Sequence, residues 1–259
     1  MPVTQTNPFD LTGKRVVVTG GNAGIGLGMA RALAAAGADI AIWGRRQTAN
    51  QIACTELAES RGRTIGIECD VADEDSVHAA TVRTIDELGQ IDGCVASAGV
   101  ASAHHAVQDF PSAEWRRVLA VDLDGTFHVM RSIARALIDG QAGGSLVAVS
   151  SVSSIHGHPY AAPYAASKTA VPGLMRSIAV ELARHQIRAN AVLPGWIETE
   201  MIADVTTSER VSDTVLHRIP LRRWGQPADL GGLAVYLMSD AARYHTGDTL
   251  RVDGGYAIF

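Results

Sequence analysis

The sequence predicts an α/β fold, a doubly wound and mostly parallel sheet of about seven strands with helices on both faces. Three observations predict it. Short apolar runs alternate with longer stretches of helical composition, the pattern left by right-handed βαβ crossovers. The runs are apolar throughout, as strands buried on both faces must be. No linker rich in Pro, Gly or Ser divides the 259 residues, 47% of them hydrophobic, so one domain over 1–259 is expected.

The elements follow in order. Residues 1–12 read as a loose lead-in. "RVVVT" (15–19) is the first strand, and "GIGLGMARALAAAGA" (24–38) the first helix, closing near Gly37 as a C-cap. "DIAIW" (39–43) is a second strand and "ANQIACTELAESRG" (49–62) a second helix. "TIGIE" (64–68), "GCVAS" (93–97), "SLVAVS" (145–150) and "RANAVL" (188–193) repeat the strand pattern, and "DTLRVDGG" ends the sheet. Ligands of such folds bind beyond the carboxyl ends of the strands. The loops after Thr19, Trp43, Ser97, Ser150 and Leu193 are therefore the first places to look for chemistry.

Composition narrows the function classes. A formal charge of −5 and a pI near 6.0 give no basic footprint for nucleic acid. The opening "MPVTQTNPFDLTGK" has no apolar signal core, and no run approaches the ~18 apolar residues of a membrane span. Cys54, Cys69 and Cys94 are odd in number and widely spaced, which argues for a reducing compartment and against a disulfide frame or zinc site. A cytoplasmic protein is expected.

"TGGNAGIG" (19–26) lies between the first strand and the first helix. Gly20 can turn the chain, Gly24 admits a pyrophosphate to the backbone, and Gly26 permits close helix–strand packing. The helix N-terminus then offers N–H groups to phosphates. Gly20, Asn22, Gly24, Ile25 and Gly26 are candidate cofactor contacts of a Rossmann-type site. After the second strand stands "IWGRRQ", with no carboxylate for an adenosine ribose. Arg45 and Arg46 can instead grip a 2′-phosphate. NADP(H) is thus favoured, and NAD(H) stays open. In "CDVAD", Asp70 and Val71 fall near the adenine edge, although Asp70 and Asp73 are equally helix-capping residues.

"YAASK" joins Tyr164 to Lys168, one of only two lysines in the chain. On a helix, positions i and i+4 share a face. An ammonium about 4 Å away, at an effective dielectric near 20, favours a phenolate by about 4 kcal/mol, and an oxidised nicotinamide adds to it. Tyr164 then becomes a general acid and base. Lysine suits this place better than arginine, since a compact ammonium can reach ribose hydroxyls as well as the phenol. Ser151, thirteen residues before Tyr164, can donate to a carbonyl oxygen and stabilise its alkoxide. Its neighbours Ser150, Ser153 and Ser154 read as turn formers.

On these motifs, together with "SAG" (97–99), "LPGWIETEM" (193–201) and "VDGGY" (252–256), the chain resembles the short-chain dehydrogenase/reductase family over nearly its whole length. The resemblance implies hydride transfer between a nicotinamide and a carbonyl or alcohol carbon. It assigns carbonyl polarisation to Ser151, proton transfer to Tyr164, and ribose binding to Lys168. It places Ser97, Ala98 and Gly99 at the cofactor, and Pro194, Gly195, Ile197 and Thr199 around the nicotinamide. A homotetramer acting on a small carbonyl or alcohol is implied, with a substrate loop over about 196–220.

Three departures stand out. Ala96 and Ser97 replace the family's paired asparagines after the fourth strand, which implies a weaker tie across the sheet. Asp122 in "DLDGTF" replaces the asparagine that passes a water chain to the lysine, and can pair with Lys168 directly. Pro172 falls inside the Tyr164 helix and predicts a bend beyond the catalytic turn. The main expectation is a ketone–secondary alcohol oxidoreductase. A 3-oxoacyl-thioester reductase is an alternative, weakened by His128 and Val180 where basic residues are expected. A nucleotide-sensing protein without catalysis is a third. "HHAV" (104–107) and "HGHPY" (156–160) lack the acidic or cysteine partners of a metal site and read as loops near a substrate cleft.

Overall fold

The computed structural model describes residues 7–259. Part of the lead-in expected over 1–12 thus lies outside the described residues. The rest is not loose: Leu11 is fully buried, and its N–H bonds the Ala36 carbonyl at 2.9 Å.

Seven strands form one sheet in the order β3-β2-β1-β4-β5-β6-β7, every neighbouring pair parallel. They are β1 (Arg15–Thr19), β2 (Asp39–Gly44), β3 (Thr64–Glu68), β4 (Gly93–Ala96), β5 (Gly144–Val149), β6 (Ile187–Pro194) and β7 (Thr249–Val252). Alternation along each strand feeds two cores. Val17, Ala41, Cys94 and Leu146 face one layer; Val16, Val18, Ile40, Ile42, Val95 and Val147 face the other.

The helices among the described residues are α1 (Gly24–Ala35), α2 (Gln47–Glu56), α3 (Glu74–Leu88), α4 (Ser112–Leu119), α5 (Gly125–Gly140), α6 (Ala162–Leu182), α7 (Ala203–Thr207), α8 (Glu209–Arg218) and α9 (Gly231–Met238). Val77, Val129, Met130, Ile133, Val171 and Met175 bring α3, α5 and α6 onto the first face. Met29, Leu33, Ala53, Ala234 and Leu237 bring α1, α2 and α9 onto the second. Asp73 starts α3, its carboxylate accepting from the N–H of Asp75 at 3.1 Å.

One correction concerns helices. The expected substrate loop over 196–220 holds α7 and α8, the latter amphipathic, a pattern hidden by its polar composition. At Pro172, where a bend is expected, α6 continues as one helix of 21 residues.

The sheet's carboxyl edge opens into the cleft, and a buried polar pair lies beneath it. The indole of Trp43, 1% exposed, donates to the Thr84 hydroxyl at 3.0 Å. Thr84→Val leaves that buried N–H unpaired and is expected to cost about 1–3 kcal/mol. A thermal melt should show a lower Tm; an unchanged Tm would mean the bond contributes nothing.

Candidate functional site

The first strand's loop builds the floor of the cleft. Gly20 (φ +63°) and Gly24 (φ +49°) adopt left-handed backbone that side chains disfavour, and a Cβ on Gly20 would sit 3.0 Å from the Ala98 Cα. At Gly26 a Cβ would collide with the Gly20 carbonyl. No side chain caps the start of α1, and its first turn carries no acid, so its N–H groups are open to an anion.

Around this floor lies a cavity of about 810 Å³. Its walls include Asn22, Ile25, Arg45, Arg46, Asp70, Val71, Ser97, Ala98, Gly99, Tyr164, Lys168 and Thr199. Asp70 turns inward, accepting from the Ala72 N–H at 3.0 Å, while Asp73 does the capping. Both arginines are exposed, and neither guanidinium has an ion-pair or hydrogen-bond partner among the described residues. Pro194, Gly195 and Ile197 stand back from the cavity wall. Pro194 pairs with Val252, Gly195 packs on Asp253, and Ile197 is 5% exposed.

Some contributors were not singled out in the sequence. Thr19 ties the fourth strand's end to the glycine turn, its hydroxyl accepting from the N–H groups of Ser97 (3.1 Å) and Ala98 (3.0 Å). The link expected to suffer from Ala96 is therefore made from the neighbouring strand. Asn50, fully buried, accepts from the Asn22 amide at 2.7 Å and donates to the carbonyls of Gly44 (2.8 Å) and Ile67 (3.0 Å). It thereby ties Asn22, in the turn after β1, to the ends of β2 and β3. The signal was a polar residue on the inward face of an otherwise exposed helix.

Tyr164 and Lys168 share one face of α6, with Nζ 5.6 Å from the phenol ring centroid. Asp122, fully buried, stands 3.3 Å from that ammonium through Oδ2. Its Oδ1 accepts from the Val100 N–H at 2.8 Å. The carboxylate sits in a π-helical turn, Ala120–Asp124, between α4 and α5, a widening that often marks functional sites. Gly99 leaves room for the pair: a Cβ there would meet Nζ at 3.3 Å and the carboxylate at 3.5 Å.

Burial, the largest influence on Lys168, pushes its pKa down. The charges of Asp122 and Tyr164 and the Asp122 hydrogen bond outweigh it, and the value stands above the ordinary 10.5. A raised folded-state pKa stabilises the fold below the unfolded value and loses that contribution as pH climbs through the folded one.

Ser151 follows β5. Its hydroxyl donates to Ser153 Oγ at 3.2 Å and accepts from the Ser153 N–H at 3.1 Å. Ser153 Oγ meets His158 Nδ1 at 3.0 Å, and the His158 ring stands edge-on to Tyr164 at 5.8 Å. A side-chain chain thus joins the two residues expected at the carbonyl. Burial, aided by the charge of His104, holds the His158 pKa below its usual value. Among the described residues no cluster suits a metal ion.

The family model described as enoyl-(acyl carrier protein) reductase matches residues 20–257. A relative from Sphingomonas sp. (strain SKA58), L-rhamnose 1-dehydrogenase (NAD(P)(+)), is 38% identical over 96% of this chain and 98% of its own. The chain belongs to the short-chain dehydrogenase/reductase family. A Mycobacterium marinum member superposes with a TM-score of 0.89 at 38% identity, covering 96% of this chain and 97% of that one. The gluconate 5-dehydrogenase of Burkholderia cenocepacia J2315, solved with NADP and tartrate, gives 0.92 at 35% identity, covering 97% and 98%. The protein is an NAD(P)(H)-dependent oxidoreductase that interconverts a ketone and a secondary alcohol. The nucleotide-sensing alternative gives way to this activity.

The cleft fits a dinucleotide, with an uncapped helix start for the pyrophosphate and two unpaired guanidiniums at the second strand for a 2′-phosphate. Replacing Arg45 and Arg46 together by alanine is expected to raise the KM for NADP(H) by roughly 10–100-fold, on the scale of lost charge-assisted bonds, and that for NAD(H) far less. Equal effects on both cofactors would detach these residues from the phosphate. Asp122→Asn removes the charge that raises Lys168, so the ammonium is lost at lower pH. The alkaline limb of kcat is expected to move down in pH with activity retained; an unmoved profile would remove Asp122 from the site's electrostatics.

Proposed function

We propose that the cleft oxidises or reduces a small polyhydroxylated, sugar-derived substrate, with Tyr164 as general acid and base, Ser151 holding the carbonyl oxygen, and NADP(H) preferred. The observation that carries the assignment is Tyr164 on the cavity wall with the Lys168 ammonium near its ring, itself paired with buried Asp122. NADP(H) would supply or accept the hydride, held by Gly20, Asn22, Gly24, Ile25, Gly26, Arg45 and Arg46, with Asp70, Val71, Ser97, Ala98, Gly99 and Thr199 along the same wall. Lys168 keeps positive charge beside the phenol, so a proton can leave or return to Tyr164 Oη as the carbonyl oxygen changes charge. Pro194, Gly195 and Ile197 support the nicotinamide end from behind.

The polar character of the substrate is supported by Ser153 and His158 beside Tyr164, whose hydroxyl and imidazole suit hydroxyl groups more than a hydrocarbon. It is also supported by the sugar dehydrogenases among the relatives. A thioester carrier is disfavoured, since His128 is occupied by the Val71 carbonyl at 3.2 Å and Val180 is an exposed apolar side chain. The chain acts as one domain over its length. A homotetramer is supported by exposed apolar side chains, among them Trp115, Phe127, Ile258 and Phe259. The chain's three unpaired cysteines support a cytoplasmic location; no helix among the described residues is long and apolar enough to cross a membrane.

Steady-state assays with L-rhamnose, gluconate, 5-keto-D-gluconate, acetoacetyl-CoA and a hydroxysteroid, each with NADP(H) and NAD(H), test the reading. Turnover of the sugar compounds is expected, with Tyr164→Phe lowering kcat by about 10²–10⁴-fold. Turnover of acetoacetyl-CoA or the steroid alone would overturn the substrate class. Full activity of Tyr164→Phe would overturn the site.

A further inference from the structure

Pro172 has no N–H, and in an α-helix the group it lacks would bond the carbonyl four residues earlier, that of Lys168. Lys168 lies in the buried part of α6, 5% exposed, where an unpaired carbonyl is costly. The structure supplies the missing donor from outside the helix. The Ser150 hydroxyl, itself 3% exposed, donates to the Lys168 carbonyl at 2.6 Å.

We propose that Ser150 is a positioning residue for the reaction, locking the Tyr164–Lys168 turn to the end of β5 through the carbonyl that Pro172 leaves free. The last residues of β5 then hold Lys168 at both ends. Val149 presents its carbonyl to Nζ at 3.4 Å, and Ser150 grips the main chain. Ser150 is itself fixed by its N–H on the Val192 carbonyl at 2.8 Å. The next residue is Ser151, so one short strand end sets the spacing between the carbonyl-holding hydroxyl and the proton-carrying phenol. In a helix with an N–H at 172 the carbonyl would be satisfied internally, and α6 could slide or rotate against β5 without losing that bond. Proline makes the tie to the strand obligatory. The inference rests on the roles given to Tyr164 and Lys168 above.

A double-mutant cycle tests it, using the full chain, the best substrate from the panel above, and NADPH fluorescence for cofactor binding. Ser150→Ala is expected to lower kcat about tenfold and to displace the pH profile of kcat. In the Pro172→Ala background the backbone N–H restored at position 172 can take the Lys168 carbonyl but cannot tie it to β5, so the same substitution should leave Tm recovered while kcat stays about tenfold down and the profile stays displaced. If Pro172→Ala recovers the kcat and profile of Ser150→Ala along with its Tm, Ser150 only satisfies a backbone carbonyl and the proposal fails. It fails too if Ser150→Ala retains full kcat and an unshifted profile. Should Ser150→Ala alone not fold, Pro172→Ala and the double variant are compared directly: a tenfold gap supports the proposal and equal kcat overturns it. Tyr164→Phe run in parallel separates the two readings, because its full activity would sink the site itself whatever Ser150 does.

Discussion

A lysine ammonium and an aspartate carboxylate 3.3 Å apart, both removed from water, organise this site. Taking either charge from solvent alone is expensive, and removing one partner strands the other. The pair therefore demands a surrounding that holds it in place. The Val100 N–H supplies one contact to the carboxylate and the Val149 carbonyl one to the ammonium. Gly99 leaves the space they need. The π-helical turn at Ala120–Asp124 brings the carboxylate to that point between two regular helices. Catalytic, cofactor and packing requirements thus meet on the same few atoms.

The pair also tempers the phenol's environment. A lone buried ammonium would exert its whole field on Tyr164; a paired one exerts that of a dipole, weaker and shorter in range. The chain replaces a neutral amide, implied by the family pattern, with a carboxylate that lifts Lys168 while drawing part of its charge away from the phenol. On the other side stands His158, its pKa lowered by burial and its ring joined to Ser151 through Ser153.

Much of this was legible in the sequence because buried parallel strands leave unbroken apolar runs, and all seven lie where "RVVVT", "DIAIW" and their counterparts fall. The glycine turn and "YAASK" were legible because close approach and i,i+4 geometry demand particular residues. What stayed hidden depends on contacts distant in sequence. The Lys168 carbonyl that Pro172 cannot serve is met by Ser150, which in the chain is only one serine among four. Leu11 looks like part of a loose terminus until Ala36 offers it a carbonyl. Thr19 and Asn50 are ordinary in composition, and their value comes from β4 and the Asn22 amide. The helices α7 and α8 are polar enough to pass for a loop.

Arg45 and Arg46 stand in water, without a carboxylate partner among the described residues. Attraction from such exposed guanidiniums fades over about 8 Å at physiological ionic strength and about 3 Å in molar salt. With the 2′-phosphate role proposed for these arginines, discrimination between the two nicotinamide dinucleotides becomes a property of the electrolyte as well as of the chain. It is sharpest in dilute buffer and blunted in brine, while the buried Lys168–Asp122 pair, shielded from ions, works alike in both.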